Sequence, residues 1–258
     1  MQTLKEQAQL FHQLHIKGNP LVLVNVWDAG STKVIESIGA AAIATGSWSV
    51  AAAHGEQDGE MMPFEWVLSN LARITSSTKL PVTIDMEGGH GRYASEVKEN
   101  VLRVIEHGAV GINIEDQLPG GTGLYAIEEF VLRLRAAREA AEQMDLPLFI
   151  NARTDIFLQA TPAQHTSSHL EEALVRSRAY AEAGASGLFV PGLQDPQLIQ
   201  ELCERSPIPV NVMVTSNEPT PAQLARLGIA RVSYGPYPYQ SAMEHLKELG
   251  RSILLETS

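Results

Sequence analysis

The chain has 258 residues, 44% hydrophobic and 19% charged, and its 30 acidic against 19 basic side chains give a formal net charge of −11. That balance disfavours unassisted binding to nucleic acid or to an anionic membrane. No apolar run reaches the ~18 residues of a membrane span, no cationic segment leads into an apolar stretch at the start, and Cys203, the single cysteine, allows no internal disulfide. A cytoplasmic enzyme fits these bounds.

Short apolar runs alternate with longer stretches of helical period, the pattern of a parallel sheet with helical crossovers. In chain order, helices are predicted over 3–15, 31–37, 63–76, 94–107, 126–143, 170–183, 196–204, 221–227 and 239–249. Strands are predicted over 21–25, 41–45, 82–85, 111–115, 148–151, 187–191, 210–213 and 231–234. Gly39, Gly108, Gly184 and Gly228 each follow a helical stretch where a left-handed cap belongs. Pro81, Pro147 and Pro209 enter strands at positions that tolerate a missing N–H. Eight strand–helix units in a chain of this length predict one domain, residues 1–258, folded as a closed (β/α)8 barrel. An open doubly wound sheet would show a glycine-rich turn after the first strand, whereas Asn25-Val26-Trp27-Asp28-Ala29-Gly30 holds one glycine. Two long loops follow strands, at 46–62 and 117–125. The second, centred on Pro119-Gly120-Gly121-Thr122-Gly123, is expected to act as a lid.

Three strands end abruptly in charge: Thr83-Ile84-Asp85-Met86-Glu87, Ile112-Asn113-Ile114-Glu115-Asp116 and Ile150-Asn151-Ala152-Arg153-Thr154-Asp155. A carboxylate at the end of a buried strand is costly unless it is paired or bound to metal, and barrel active sites lie at this end. Asp85, Glu87, Glu115 and Asp116 are therefore read as an acidic centre of hard oxygen donors suited to Mg²⁺ or Mn²⁺. The alternative is that they cap helices or pair with Arg153. Arg153 either grips a substrate carboxylate or forms a structural ion pair with Asp116 or Asp155. Thr45-Gly46-Ser47 offers backbone N–H groups and hydroxyls to a carboxylate, although the pattern alone also describes a plain turn. Trp27 and Asp28 follow the first strand, and Asp28 doubles as a cap for the helix near Ser31. Asn211 either meets substrate or satisfies a neighbouring backbone group. His90, within Gly88-Gly89-His90-Gly91, is read as a bystander more readily than as an acid or base, and Cys203 as packing.

The succession Asp28-Ala29, Thr45-Gly46-Ser47, Asp58-Gly59-Glu60, Asp85-x-Glu87-Gly88-Gly89-x-Gly91, Ile114-Glu115-Asp116 and Asn151-Ala152-Arg153-Thr154-Asp155 resembles the isocitrate lyase/phosphoenolpyruvate mutase superfamily, and most of all its short bacterial phosphonomutase-like members. The resemblance implies a (β/α)8 barrel that binds Mg²⁺ and a small 2-oxo or 2-hydroxy acid. It implies that Asp85, Glu87 and Glu115 hold the metal, largely through water, and that Thr45, Gly46 and Ser47 receive the substrate carboxylate. It further implies that Asp58 orders the neighbouring site, that Arg153 faces the reacting end, and that the chain assembles as a homo-oligomer, a tetramer or dimer that exchanges the helix beginning near Tyr239.

Two departures bear on the chemistry. The cysteine that isocitrate and methylisocitrate lyases carry in the loop after strand four is missing from 117–125. The phosphonomutase lysine after the Glu-Asp pair is replaced by Gln117, and no asparagine follows before Tyr125. The shared core remains: a 2-oxo carboxylate chelated by Mg²⁺ loses a substituent to leave a metal-stabilised enolate. Carbon–carbon cleavage, by decarboxylation or by retro-aldol or Claisen chemistry, is the leading expectation. Phosphorus–carbon chemistry is the second, and a non-catalytic barrel that binds a 2-oxo acid is the third.

Overall fold

The computed structural model describes residues 2–119 and 123–255. Its elements, in order, are α1 (Leu4–Gln13), β1 (Leu21–Leu23), β2 (Asn25–Val26), α2 (Ala29–Ser37), β3 (Ile43–Thr45), α3 (Ser47–Ala53), α4 (Phe64–Ser77), β4 (Val82–Asp85), α5 (Ala94–Glu106), β5 (Gly111–Glu115), α6 (Ile127–Gln143), β6 (Phe149–Arg153), α7 (Ser167–Glu182), β7 (Gly187–Val190), α8 (Pro196–Arg205), β8 (Val210–Met213), α9 (Pro221–Arg226), β9 (Arg231–Ser233) and α10 (Tyr237–Leu255). All ladders are parallel, in the order β1-β9-β8-β7-β6-β5-β4-β3-β2. The strand predicted over 21–25 is two pieces. Leu21–Leu23 pairs with β9, Asn25–Val26 pairs with β3, and Val24 between them belongs to neither ladder. The two pieces form one stave, so the order closes on itself as a ring of eight, the (β/α)8 barrel.

Local chemistry accounts for where elements start and stop. Asp28 caps α2, its Oδ1 accepting from Ser31 N at 2.7 Å. Gly39, Gly108, Gly184 and Gly228 take φ of 92°, 91°, 98° and 87° after α2, α5, α7 and α9, a conformation that costs other residues free energy. Apart from the exposed Val22 of β1, the strands are buried or nearly so on both faces, as parallel strands between helices must be. Helix α1 closes the floor of the barrel. Phe11 is fully buried, 5.5 Å from the Phe149 ring, and a Cβ on Gly111 would meet Phe11 at 2.8 Å.

Two elements differ from the expected pattern, and the loop expected to act as a lid is joined at its base. Residues 47–53, read as loop, form α3, which starts straight off β3 with Gly46 as its cap residue. The last helix begins at Tyr237 and runs to Leu255 with no residue buried. The ends of the expected lid are tied together: Gln117 and Leu124 form an antiparallel bridge, and Leu118 N donates to Gly123 O at 3.1 Å. The lid's centre, 120–122, lies outside the described residues. No described helix is long and apolar enough to cross a membrane.

Candidate active site

Strands β3, β4, β5 and β6 deliver Thr45, Asp85, Glu115 and Arg153 to the same C-terminal mouth. Their registers align, with Glu115 opposite Arg153 and Asp85 opposite Asn113. Asp85 sits at the centre. Its Oδ2 accepts from Ser47 N at 3.2 Å and Ser47 Oγ at 3.1 Å, and its backbone N–H donates to Thr45 Oγ1 at 3.1 Å. Its Oδ1 is buried with no hydrogen-bond partner. A buried, unsatisfied carboxylate oxygen is expensive, and a cation is the species that would relieve it.

Glu87 is braced from the loop before α4. Its Oε2 accepts from the N–H groups of Gly59 and Glu60, each at 2.6 Å, and its Oε1 lies 3.7 Å from His90 Nε2. Glu60 Oε1 in turn accepts from His90 N at 2.8 Å. Glu60, Glu87 and His90 all adopt left-handed backbone, with φ of 62°, 50° and 52°. Non-glycine residues hold that conformation at a cost, and such strain concentrates at functional sites. Burial, with Asp58 and Asp85 nearby, pushes the Glu87 carboxyl up to about 8. Burial lowers His90 to about 4, so its ring is neutral. Asp58 lies on the exposed rim. Loss of solvent first and the Asp85 charge second raise its carboxyl, against the pull of Ser47.

Arg153 is fixed by two acids. Its Nε and Nη2 donate to Asp155 Oδ1 and Oδ2 at 2.6 and 2.8 Å, and its Nη1 lies 2.7 Å from Glu115 Oε2. Burial opposes the guanidinium charge, but Glu115 and Asp155 outweigh it and hold Arg153 more firmly protonated than usual. For Glu115, burial and the surrounding acids raise the carboxyl against the attraction of Arg153.

Asp116 does not belong to this centre. Successive side chains on a strand face opposite ways, so Asp116 turns outward where Glu115 turns in. It is fully buried, 2.7 Å from Tyr180 Oη and 3.0 Å from Arg176 Nη1 on α7, and its Oδ1 accepts from Asp155 N. It joins β5 and β6 to α7. Asp28 likewise serves as a cap. The Trp27 ring packs edge-on against Tyr239 at 5.1 Å, at the start of α10. Asn211 lies one layer below the mouth, its Nδ2 donating to Ser233 Oγ at 3.2 Å. The expected carboxylate receivers, Thr45 and Ser47, here spend their hydroxyls on Asp85.

Among the described residues no three His, Cys, Asp or Glu side chains converge to hold one ion between them. Asp85, Glu87 and Glu115 are therefore not a closed cage. Each keeps one oxygen on a protein donor, which suits an ion that takes few side-chain ligands and retains its waters, as Mg²⁺ does. The donor chemistry and the orphaned Asp85 Oδ1 fit such an ion.

Two parts of the site escaped sequence reasoning. Asp58-Gly59-Glu60 carries the family resemblance, but nothing in its sequence shows that the Gly59 and Glu60 N–H groups brace Glu87. Arg133, nearly fully buried on α6, donates to the carbonyls of Gly88, Gly91 and Arg92 at 3.0, 2.7 and 2.9 Å and pins the turn after β4. Its signal was available, as a charge within the buried stripe of Phe130, Leu134 and Ala137.

Comparison with known proteins agrees with this architecture. The phosphoenolpyruvate phosphomutase family model matches residues 11–254, and the chain belongs to the isocitrate lyase/phosphoenolpyruvate mutase superfamily. It is 29% identical to 2-methylisocitrate lyase of Escherichia coli, over 92% of this chain and 79% of that one. It is also 29% identical to oxaloacetate decarboxylase of Pseudomonas entomophila, over 91% and 80%. Among solved structures it resembles a "putative phosphonomutase" of Burkholderia cenocepacia, with TM-score 0.95, 48% identity and coverage of 97% and 99%. A phosphonopyruvate hydrolase solved with oxalate and Mg²⁺ shares the fold, with TM-score 0.85 and 23% identity over 98% and 88% of the two chains.

Proposed function

We propose that this protein is a Mg²⁺-dependent carbon–carbon lyase acting on a small 2-oxo or 2-hydroxy acid, in the manner of oxaloacetate decarboxylase or of methylisocitrate and dimethylmalate lyases. The observation that carries the reading is the acid-lined mouth around Asp85, with a bare carboxylate oxygen beside a clamped guanidinium. Family membership and the two lyases at 29% identity support it. Asp85, Glu87 and Glu115 would hold the ion, partly through water. When bound, Mg²⁺ (or Mn²⁺) supplies electron withdrawal from the 2-oxo acid.

The chain's own residues do the rest. Arg153, held in orientation by Asp155, faces the substrate and stabilises negative charge that grows on its oxygen. The Gly46 turn receives the carboxylate, and Ser47, which donates to Asp85 in the free protein, joins it once the ion takes over the Asp85 carboxylate. Decarboxylation asks for no base, since CO₂ departs without prior proton removal, and this suits a 117–125 loop that lacks both cysteine and lysine. Cleavage of a 2-hydroxy acid requires removal of the hydroxyl proton, a task we give to Asp58, whose raised carboxyl stands on the open rim.

The test is a panel of oxaloacetate, methylisocitrate and dimethylmalate, with pyruvate and the partner product detected, run with Mg²⁺ and with EDTA. Metal-dependent turnover of at least one is expected; none on any would contradict the reading. Phosphorus–carbon chemistry is the second reading, favoured by the matching family model and the 48% identical structure. Phosphorus NMR on phosphonopyruvate separates the two.

We further propose that the protein is a homo-oligomer joined through α10. Met243, Leu246, Leu249 and Ile253 form an exposed apolar face on that helix. Ile16, Val22, Val34 and Ile38 are exposed around cavities of about 400 and 320 Å³ beside β1 and α2.

A further inference from the structure

One layer beneath the mouth, the barrel interior is polar where such interiors are ordinarily branched and aliphatic. Arg231, at the start of β9, is 1% exposed. Its Nη2 donates to Asn113 Oδ1 at 3.2 Å, and Asn113 Oδ1 also accepts from Asn151 Nδ2 at 2.9 Å. Its Nε donates to Ser233 Oγ at 3.3 Å, and Nη1 is buried with no partner. Gly187 makes room for this arrangement, because a Cβ there would come within 2.9 Å of Asn151 Oδ1. Every one of these partners is neutral. Among the described residues no carboxylate forms an ion pair with Arg231, whereas Arg153 and Arg176 have one, and buried Arg133, also without one, gives both Nη atoms to backbone carbonyls and the Tyr125 hydroxyl. A lone buried guanidinium is costly to fold around. Asn113 and Asn151 stand two residues before Glu115 and Arg153 on β5 and β6, about 7 Å below the site.

We propose that Arg231 is a positioning residue for the anionic substrate: its buried charge, held without an ion-pair partner, sets the potential of the acidic mouth from below, so that a dianionic acid is admitted among carboxylates. The proposal rests on the metal-site reading above. Burial pushes the Arg231 guanidinium down to about 9, with the Asp85 carboxylate acting the other way, so it stays charged at neutral pH. A unit charge acting across roughly 10 Å of protein changes ligand affinity by about tenfold.

The sign of the effect distinguishes this role from a structural one. Mn²⁺ affinity of the free protein, and oxalate affinity of the Mn²⁺-saturated protein, are measured by calorimetry for wild type, Arg231→Gln, Arg231→Lys and Asn113→Asp. Arg231→Gln removes the charge. Asn113→Asp neutralises it in place with an isosteric side chain, and serves where Arg231→Gln does not fold. Both are expected to weaken oxalate roughly tenfold while binding Mn²⁺ as tightly or tighter, with Arg231→Lys restoring oxalate affinity to within about threefold of wild type. Parallel weakening of both ligands, or no change in either, would overturn the proposal alone. Failure of wild type to bind Mn²⁺ or oxalate would overturn the site reading, and the proposal with it.

Discussion

Glu87 carries the sharpest residue-level consequence. Its carboxyl ionises near 4.5 in an unfolded chain and near 8 in the fold. Between those values the folded protein holds the extra proton, so the stability of the metal-free protein falls as pH rises from about 4.5 through about 8. Glu87→Gln removes this penalty and keeps an oxygen for the Gly59 and Glu60 N–H groups. By calorimetric melting without metal, the variant is expected to match wild type near pH 5 and to exceed its Tm at pH 8.5, by about 2–4 °C per kcal/mol relieved. His15, lowered to about 3 by burial with Arg231 adding, destabilises the fold as pH drops below 6.5. Both proteins share that effect, so it cancels in the difference. Equal pH profiles would mean that Glu87 is solvated in the fold.

At the scale of elements, α10 is the part that the isolated chain does not account for. A 19-residue helix with no buried residue and an apolar face at 243, 246, 249 and 253 is stable chiefly when that face is covered. Leu246→Asp with Leu249→Asp is expected to shift the mass seen by light scattering from a multiple of 28.0 kDa toward 28.0 kDa. An unchanged mass would remove α10 from the interface. Much of the architecture was legible in the sequence, because buried parallel strands, glycine caps and strand-entry prolines each have a local cause. Glu115 and Asp116 show where the reading slipped. Both end an apolar run, but the two-residue period sends one into the barrel and the other to Arg176 and Tyr180 on α7. Helix α3 was missed because seven residues between Gly46 and His54 are too few to display a helical period.

The whole molecule poses an electrostatic problem: a protein of net charge −11 gathers Asp58, Asp85, Glu87, Glu115 and Asp155 around one mouth and is assigned an anionic substrate. Strand ends revealed most of those acids in the sequence. The positive side of the balance stayed hidden, since Arg231 sits in an unremarkable Ala230-Arg231-Val232 run and its role depends on contacts from β5, β6 and β8 that only the closed barrel assembles. On this account a divalent cation supplies the remaining positive charge, beside Asp85 and within reach of Arg153. The most direct measurement is an anomalous difference map from a crystal soaked with Mn²⁺ and oxalate. The account predicts one strong peak nearest the Asp85 carboxylate, with oxalate lying between it and the Ser47–Arg153 side of the mouth. A mouth without manganese at saturating concentration, or oxalate bound away from Asp85, would contradict it.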